Sequence, residues 1–366
     1  MINPKELSNF LLKKKINFYS GVPDSVLKDF LSSINQNKKI TNITCANEGA
    51  AVSLAIGNYL GSKKLGLVYF QNSGLGNAIN PLISIADKSV YSIPMVLLIG
   101  WRGSPNSNDE PQHMAKGKIT KSLLKLLDIK HSVIENKKDF KKIEKLIKFS
   151  RTKKRPVAIL IENKVFSKFK KVKVKDFNKS INRSDFLISL LKNVNNKDKI
   201  ISTTGYTSRE LNKIRKDHKI KKAKDFYMVG GMGHCSSVAL GCSLANNNKI
   251  ICLDGDGSLL MHMGSIATIG FYSKNNFKYI LLNNNAHESV GGQSTNASNI
   301  DFQKFSNSVG LKSYTQISSI KSLDSKLKSF LASKHLKFLE VRIKSKNIDN
   351  LDRPKNFLKI KQNFIK

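Results

Sequence analysis

One stretch, from Lys249 to Gln293, constrains the fold of this chain more than any other. An apolar run that favours a β-strand ends at Gly255-Asp256-Gly257, and apolar residues with helical spacing then predict one helix from Ser258 to Ile269. A second apolar run, Tyr279 to Leu282, ends in three asparagines. Strand, helix and strand in this order predict part of a parallel sheet, and ligands bind at the carboxyl ends of such strands.

Two of the polar residues at these strand ends predict a metal site. Asp256 and Asn284 are separated by about the length of one strand-helix-strand unit, so their side chains are expected to meet at one edge of the sheet. Carboxylate and amide oxygens suit Mg²⁺, which usually completes its shell with a phosphate. A helix that opens at Ser258 would add N-terminal amides, which favour an anionic group at the same place.

This Gly-Asp-Gly and Asn-Asn pattern, with its spacing, resembles the diphosphate-binding motif of the thiamine diphosphate enzymes. The resemblance implies that the metal ligands are Asp256, Asn284 and the main-chain carbonyl of Ala286, and that the metal, Mg²⁺, bridges the cofactor's diphosphate. It also implies cofactor contacts from the residues that flank the aspartate, namely Gly255, Gly257 and Ser258.

A single glutamate, Glu48, stands among small residues where a predicted strand meets a helix. From the residues alone, it is either a carboxylate stabilised by the helix dipole or a buried group with a raised pKa. The family resemblance implies that Glu48 is catalytic and contacts N1′ of the cofactor's aminopyrimidine. The glycine-containing turn that follows the next strand fits the pyrimidine-binding half of the family, with Asn72 and Ser73 as cofactor-binding residues.

A glycine-flanked methionine, Met232, lies in the turn Gly230-Gly231-Met232-Gly233-His234. Methionine in such a position is most often core, but in the family this turn supports the bent cofactor, so Gly231 and Met232 are predicted to bind it. Directly after the metal asparagine, His287 and Glu288 lie in a polar loop. They are predicted to be catalytic as proton shuttles, with a solvated loop as the alternative.

Three polar residues are predicted to bind the substrate. Arg102 follows a buried strand and could pair with a carboxylate or phosphonate through two hydrogen bonds. Ser25, in a Gly-Val-Pro-Asp-Ser loop, and His113, in Asp-Glu-Pro-Gln-His, are predicted to complete an anion clamp. Surface loops also carry such residues without function, and the sequence leaves that alternative open.

The net charge of +37 raises the question of a nucleic-acid partner. Only eight of the 63 basic residues are Arg, and the lysines are scattered rather than clustered with aromatic residues. We interpret them as a solvated surface and expect no nucleic-acid binding. A non-catalytic, basic nucleic-acid-binding protein remains the alternative from a different class. The amino terminus lacks the order of a signal peptide, so a cytoplasmic protein without membrane contact is expected.

The length of 366 residues fits two α/β domains. We predict two doubly wound parallel-sheet domains of the thiamine diphosphate-binding type: a pyrimidine-binding domain over 1–165, a linker over 166–183 and a diphosphate-binding domain over 184–366. There is no room for a central domain. In this family, sites form between the two kinds of domain from different chains, so the resemblance also implies a homodimer or a higher homo-oligomer.

The compact layout and several loop sequences resemble the phosphonopyruvate decarboxylase family, which consists of carbon–carbon lyases. These sequences include Gly-Trp-Arg-Gly at residues 100–103 and Ala-His-Glu-Ser-Val-Gly-Gly-Gln at residues 286–293. The resemblance implies decarboxylation of 3-phosphonopyruvate, a small anionic 2-oxo acid, to phosphonoacetaldehyde and CO₂ in phosphonate biosynthesis. Sulfopyruvate or another 2-oxo acid is the alternative substrate, because phosphonate and sulfonate are both tetrahedral oxyanions.

Overall fold

The computed structural model describes residues 1–105, 107, 109–170, 177, 180–333, 335, 338–345 and 351–366. The chain divides into two compact units, Met1–Lys173 and Val174–Lys366. Among the described residues, no helix combines the length and the apolar character needed to cross a membrane.

The first unit alternates strands and helices around one parallel sheet. Its strands lie in the order β2-β1-β3-β4-β6-β5. Its elements are α1 (Pro4–Lys13), β1 (Phe18–Gly21), α2 (Lys28–Asn35), β2 (Thr41–Thr44), α3 (Glu48–Ser62), β3 (Gly66–Gln71), α4 (Leu75–Pro81), β4 (Met95–Gly100), α5 (Pro111–Leu126), β5 (Lys130–Ile134), α6 (Phe140–Lys153) and β6 (Val157–Ile161).

The central strand β4 explains why this sheet is covered by helices on both faces. All six of its residues are buried. Because successive side chains of a strand point to opposite faces, Val96 and Leu98 join one apolar cluster and Leu97 and Ile99 join another. A parallel sheet whose strands are apolar on both faces can bury them only beneath two layers of helices.

The second unit repeats this architecture. Its main sheet is parallel, in the order β13-β14-β10-β9-β7-β8, and β11 and β12 form a small antiparallel pair. Its elements are α7 (Arg183–Asn193), β7 (Lys199–Ser202), α8 (Tyr206–Asp217), β8 (Lys224–Tyr227), α9 (Cys235–Leu244), β9 (Ile250–Gly255), α10 (Asp256–Met261), α11 (Ser265–Tyr272), β10 (Phe277–Asn283), β11 (Ala286–His287), β12 (Gln293–Ser294), α12 (Phe302–Ser308), β13 (Tyr314–Ile317), α13 (Leu323–Ala332), β14 (Phe338–Arg342) and α14 (Phe357–Ile365).

The two main sheets share one topology. When the strands of each sheet are counted along the chain, both sheets run second, first, third, fourth, sixth, fifth. The prediction of two doubly wound parallel-sheet domains is therefore confirmed. In this order the chain leaves the first and third strands in opposite directions, so crevices open at the carboxyl ends of β1 and β3 and of β7 and β9.

The prediction of one helix from Ser258 to Ile269 is wrong. The segment forms two helices, α10 and α11, because His262 leaves the helical conformation (φ −137°, ψ 49°). The first of these helices also begins earlier than predicted, at Asp256. Asp256, which was predicted to lie in a turn, is therefore the first residue of a short helix that directly follows β9.

Candidate active site

In the second unit, Asp256 is a buried carboxylate at the carboxyl end of β9. It is 3% exposed, and the hydroxyl of Thr295 donates a 2.5 Å hydrogen bond to its Oδ2. Burial raises the pKa of this carboxyl to about 6, and the nearby hydroxyl of Thr295 and backbone of Asn284 offset part of that rise. Asp256 and the backbone of Asn284 thus meet at one edge of the sheet, as the motif predicts.

The side chain of Asn284 is held at both ends. Its Oδ1 accepts a 3.1 Å hydrogen bond from the backbone N–H of Ala286, and its Nδ2 donates to Glu288 Oε2 at 3.2 Å. Between Asn284 and Ala286 the backbone turns through Asn285, which has a positive φ of 55°. This turn keeps the amide of Asn284 and the carbonyl of Ala286 within a single loop beside β10.

The side chains of His287 and Met232 approach Gly257 closely. A Cβ at this position would lie 2.9 Å from His287 Nδ1 and 3.2 Å from Met232 Cε. The hydroxyl of Ser258 accepts 3.1 Å hydrogen bonds from the backbone of Gly233 and the hydroxyl of Thr203. These contacts bring the Met232 turn against the Asp256 loop.

His287 is 8% exposed, and burial lowers its pKa to about 4. Its imidazole is therefore neutral near pH 7, and one ring nitrogen donates while the other accepts.

The turn that contains Met232 depends on glycine, since Gly231 and Gly233 have φ values of +67° and +90°.

In the first unit, Glu48 is the first residue of α3 and is 5% exposed. Asn47 caps this helix by accepting a 2.9 Å hydrogen bond from the backbone of Ala50. Burial raises the pKa of the Glu48 carboxyl, and a 2.7 Å hydrogen bond from Asn77 Nδ2 to Oε2 offsets part of the rise. A Cβ on Gly74 would lie 2.0 Å from Oε1, so only glycine leaves room for this carboxylate.

A polar network covers the carboxyl ends of β1 and β3 beside Glu48. Ser73 donates to Gln71 at 2.9 Å, and Gln71 donates to the fully buried Asp24 at 2.6 Å. Asn72 accepts from the backbone of Arg102 at 3.1 Å and donates to its carbonyl at 2.9 Å. Asn72 and Ser73 are therefore anchored within this unit at the crevice between β1 and β3.

Arg102 contacts Ser25, which was also predicted to bind the substrate. Its guanidinium donates to the Ser25 hydroxyl at 3.2 Å and forms a two-hydrogen-bond ion pair with Asp109. Burial alone would raise the pKa of Asp109, but the hydrogen bonds from Arg102 and from neighbouring backbone groups lower it overall. His113 lies in the first turn of α5.

Comparison with known proteins assigns a family to a large part of each unit. The family described as "Thiamine pyrophosphate enzyme, N-terminal TPP binding domain" matches residues 5–124, and "Thiamine pyrophosphate enzyme, C-terminal TPP binding domain" matches residues 203–341. The two matches together cover well over half of the chain. The chain belongs to the thiamine pyrophosphate enzymes. Thiamine pyrophosphate is another name for thiamine diphosphate.

Relatives of this thiamine pyrophosphate enzyme match it over almost its whole length. It is 31% identical to the phosphonopyruvate decarboxylase of Streptomyces viridochromogenes, over 97% of this chain and 92% of that protein. It is 30% identical to the phosphonopyruvate decarboxylase of Streptomyces hygroscopicus, over 97% and 91%. It is 27% identical to the sulfopyruvate decarboxylase of Methanosarcina acetivorans, over 95% and 93%. The protein is accordingly a thiamine diphosphate-dependent decarboxylase, a carbon–carbon lyase.

The residues in the second unit fit a divalent metal and a diphosphate. Asp256 is a buried carboxylate, and the influences that offset its burial among the described residues are hydrogen bonds rather than an opposite charge, so its ionised form is unfavourable. The available donors are a carboxylate, an amide and a carbonyl, all hard oxygens that suit Mg²⁺. In the same described residues, no group of three or more His, Cys, Asp or Glu could hold a metal. Asp256, Asn284 and Ala286 carry oxygen donors of this kind and stay the predicted metal ligands.

Several residues of this thiamine pyrophosphate enzyme were not singled out from the sequence. Asp24 and Gln71 support the β1/β3 crevice, Asp109 pairs with Arg102, and Thr295 holds Asp256. The position of Asp24 in the loop after β1, directly before Ser25, is a signal that could have identified it. Thr295 carries no such signal, because it lies far along the chain from Asp256. The pairing of β11 with β12 places it beside the loop that contains Asn284.

Glu288 contacts a residue that was predicted to lie in the linker. Arg183, the first residue of α7, is 7% exposed and forms ion pairs with both Glu288 and Glu210. This contact joins the start of the second unit to the loop that carries Asn284.

Proposed function

We propose that the enzyme decarboxylates 3-phosphonopyruvate to phosphonoacetaldehyde and CO₂, using thiamine diphosphate and Mg²⁺, as a step in phosphonate biosynthesis. The observation that carries this proposal is the similarity to two phosphonopyruvate decarboxylases, at 31% and 30% identity over 97% of the chain. The sulfopyruvate decarboxylase of M. acetivorans matches at a lower identity, 27% over 95% of the chain.

In this proposal Glu48 holds and moves a proton at the cofactor's N1′. Its buried carboxyl with a raised pKa binds a proton more readily than an exposed one, and Asn77 keeps the charged form accessible. Bound thiamine diphosphate supplies the electron sink that makes loss of CO₂ possible. Asn72 and Ser73 line the same crevice and bind the cofactor's pyrimidine end.

The second unit holds the diphosphate end of the cofactor. Asp256, Asn284 and the Ala286 carbonyl bind Mg²⁺, while Gly231, Gly255, Gly257 and Ser258 let the backbone approach the cofactor and Met232 supports it. His287, neutral near pH 7 because of its burial, is available to donate or accept a proton at one ring nitrogen. Glu288 is the second proposed proton-transfer residue of this loop.

The anionic group of the substrate is recognised by Arg102, with Ser25 and His113 beside it. Asp109 occupies the Nε and Nη2 edge of the guanidinium, and Nη1 points towards Ser25. The ion pair holds Arg102 in a fixed position, so one guanidinium edge and a hydroxyl are presented together. Both groups donate hydrogen bonds, which suits a tetrahedral oxyanion.

Sulfopyruvate is the second candidate substrate. Besides the full-length match, a sulfopyruvate decarboxylase β subunit of Methanocaldococcus jannaschii is 35% identical over 36% of the chain. An α subunit of Methanococcus maripaludis is 33% identical over 42% of the chain. The matching proteins are subunits, which supports an assembly of two kinds of domain. We propose that the present chain acts as at least a homodimer, in the cytoplasm.

The deciding experiment is a comparison of substrates. Purified protein with thiamine diphosphate and Mg²⁺ is given 3-phosphonopyruvate, 3-sulfopyruvate and pyruvate in parallel, and aldehyde formation is measured. We expect the highest kcat/KM with the phosphonate. A preference for the sulfonate would replace the proposed substrate, and no aldehyde from any acid would refute the proposed activity. Sedimentation as a monomer with the cofactor and Mg²⁺ present would refute the homodimer.

A further inference from the structure

Arg183 lies at the centre of a buried cluster of charges in the second unit. Its side chain is 6% exposed, and those of its two partners, Glu210 and Glu288, are 6% and 7% exposed. One terminal nitrogen of the guanidinium pairs with Glu210 Oε2 at 3.0 Å, and the other pairs with Glu288 Oε2. The ring of Tyr206 lies 6.0 Å from the guanidinium carbon. A buried arginine thus joins α7 and α8 to the loop that follows β10.

The same oxygen of Glu288 also accepts a hydrogen bond from Asn284. Glu288 Oε2 lies 3.2 Å from Asn284 Nδ2, while Asn284 Oδ1 accepts from the backbone of Ala286. An amide has one oxygen and one nitrogen end, and holding the nitrogen fixes the direction in which the oxygen points. The orientation of the Asn284 oxygen therefore depends on where Glu288 is held.

We propose that Arg183 is a positioning residue for the metal site and acts through Glu288 on the Asn284 side chain. Residues that hydrogen-bond to metal ligands orient those ligands and commonly change metal affinity when they are replaced. Among the described residues, Arg183 and Asn284 each hydrogen-bond to Glu288 Oε2 and not to each other, so the effect of Arg183 passes through this carboxylate. This inference rests on the proposed cofactor and metal, and it adds a part that the motif itself does not contain.

The charges of the cluster explain why the arginine is needed. Glu210 and Glu288 are two buried carboxylates, and Arg183 is the cation that lies between them. Removing one partner of a buried ion pair leaves an uncompensated buried charge, which is strongly destabilising, so the position of Glu288 is no longer favoured. A Glu288 side chain that moves outward releases Asn284 Nδ2 and lets the amide rotate away from the metal.

The test compares two arginine variants of the full chain. Arg183→Met removes the cation beside Glu288. Arg215→Met is the matched control, because Arg215 forms a similarly buried ion pair with Asp225 in the same unit, with side chains 12% and 5% exposed. The dissociation constant of Mg²⁺ is measured by isothermal titration calorimetry at saturating thiamine diphosphate, and thermal unfolding is measured on each metal-free protein.

We expect Arg183→Met to weaken Mg²⁺ binding by about 10- to 100-fold and Arg215→Met to leave it within about twofold of the wild type. Two further variants separate positioning from loss of folding. Arg183→Lys keeps the charge and should lose less affinity. The combined variant Arg183→Met, Glu210→Gln, Glu288→Gln removes all three charges of this cluster but keeps an acceptor oxygen for Asn284, and it should recover part of the affinity.

Three results would overturn the inference: wild-type Mg²⁺ affinity in Arg183→Met, an equal loss in Arg215→Met, or no recovery in the combined variant. Failure of the proposed function gives a different pattern. A wild-type protein that binds neither Mg²⁺ nor thiamine diphosphate would remove both proposals. A wild type that binds both but prefers another 2-oxo acid would change only the substrate.

Discussion

Asn77 donates a 2.7 Å hydrogen bond to Oε2 of Glu48, linking the first turns of helices α4 and α3. Burial raises the pKa of this carboxyl, while the hydrogen bond stabilises the charged form and lowers it. The protonation of Glu48 is therefore set by two opposing effects, and one of them can be removed without touching the carboxyl itself.

Replacing Asn77 by Ala should shift the pH dependence of decarboxylation. Loss of the hydrogen bond raises the pKa of Glu48, so the ionised form appears at a higher pH. The acidic limb of the kcat/KM profile should move upwards by about half to one pH unit. Asn80→Ala is the control, since Asn80 lies in the same helix and bonds to Ser84 instead. An unchanged acidic limb in Asn77→Ala would show that Glu48 does not set it.

Replacing Glu48 by Gln should lower kcat by about 10²- to 10⁴-fold, the usual contribution of a positioned acid or base. Glutamine can still accept the hydrogen bond from Asn77 and has a similar volume, so the fold should be retained. Circular dichroism and thermal unfolding check the fold, and steady-state rates check the chemistry. Turnover at the wild-type rate in a folded variant would exclude Glu48 from proton transfer.

Long apolar strands and the residues at their ends were predictable from the sequence. Each of β3, β4, β9 and β10 carries a continuous buried run, and parallel strands in sequence order bring Asp256 and Asn284 to one edge. The edge strands β5 and β13 were not predicted. Both are only partly buried and contain polar residues, so they lack the apolar signal of the central strands.

Pairings between distant charges were not predictable. Arg183 and Glu288 are 105 residues apart, and Arg183 follows a Lys-rich stretch that looks like a solvated linker. A single sequence shows which residues carry charge but not which opposite charges meet once both are buried. The break of the helix at His262 was not predictable either, because the apolar spacing continues across it.

Gly257→Ala should displace the two side chains that pack against Gly257, those of His287 and Met232. The added methyl group would lie 2.9 Å from His287 Nδ1 and 3.2 Å from Met232 Cε, so both side chains must shift. Overpacking of this kind costs about 1–3 kcal/mol, and thiamine diphosphate binding should weaken as well. Urea unfolding and calorimetric titration measure the two effects.

Gly264→Ala is the control for this substitution. A Cβ at Gly264 meets nothing within 4 Å, and its φ is −60°, which any residue adopts. Its stability and cofactor affinity should match the wild type. Equal losses in the two alanine variants would mean that the close approach at Gly257 is not what matters.

Asp109→Asn should impair substrate binding more than the chemical step. Without the carboxylate charge of Asp109, the ion pair is lost and the guanidinium of Arg102 is no longer held beside Ser25. We expect KM for 3-phosphonopyruvate to rise about tenfold or more, with a smaller change in kcat. Arg155→Met, which breaks the surface pair with Asp128, is the control and should leave both constants unchanged. A fall in kcat alone would assign Asp109 to another role.

Asp256→Asn should stabilise the metal-free protein above pH 6. The folded pKa of about 6 exceeds the unfolded value of 3.8. The ionisation of Asp256 therefore does not affect stability below about pH 4, and the folded protein loses stability as the pH rises from about 4 to 6. The shift of roughly two pH units corresponds to about 3 kcal/mol. Asparagine cannot ionise, and it can still accept the hydrogen bond of Thr295. Urea unfolding in the presence of a chelator, at pH 4 and pH 7, measures the difference.

Mg²⁺ and thiamine diphosphate should reverse this order. A ligand that binds only the folded state stabilises it, and the wild type has the carboxylate that the metal needs, whereas the Asp256→Asn variant lacks it.

The control is Asp301→Asn, which should change the stability of the metal-free protein in the opposite direction. Hydrogen bonds from the backbone of α12 and from Lys304 lower the pKa of Asp301. It should therefore lose stability above pH 4 with or without metal. If metal-free Asp256→Asn were less stable than the wild type at pH 7, burial would not be the dominant influence on Asp256.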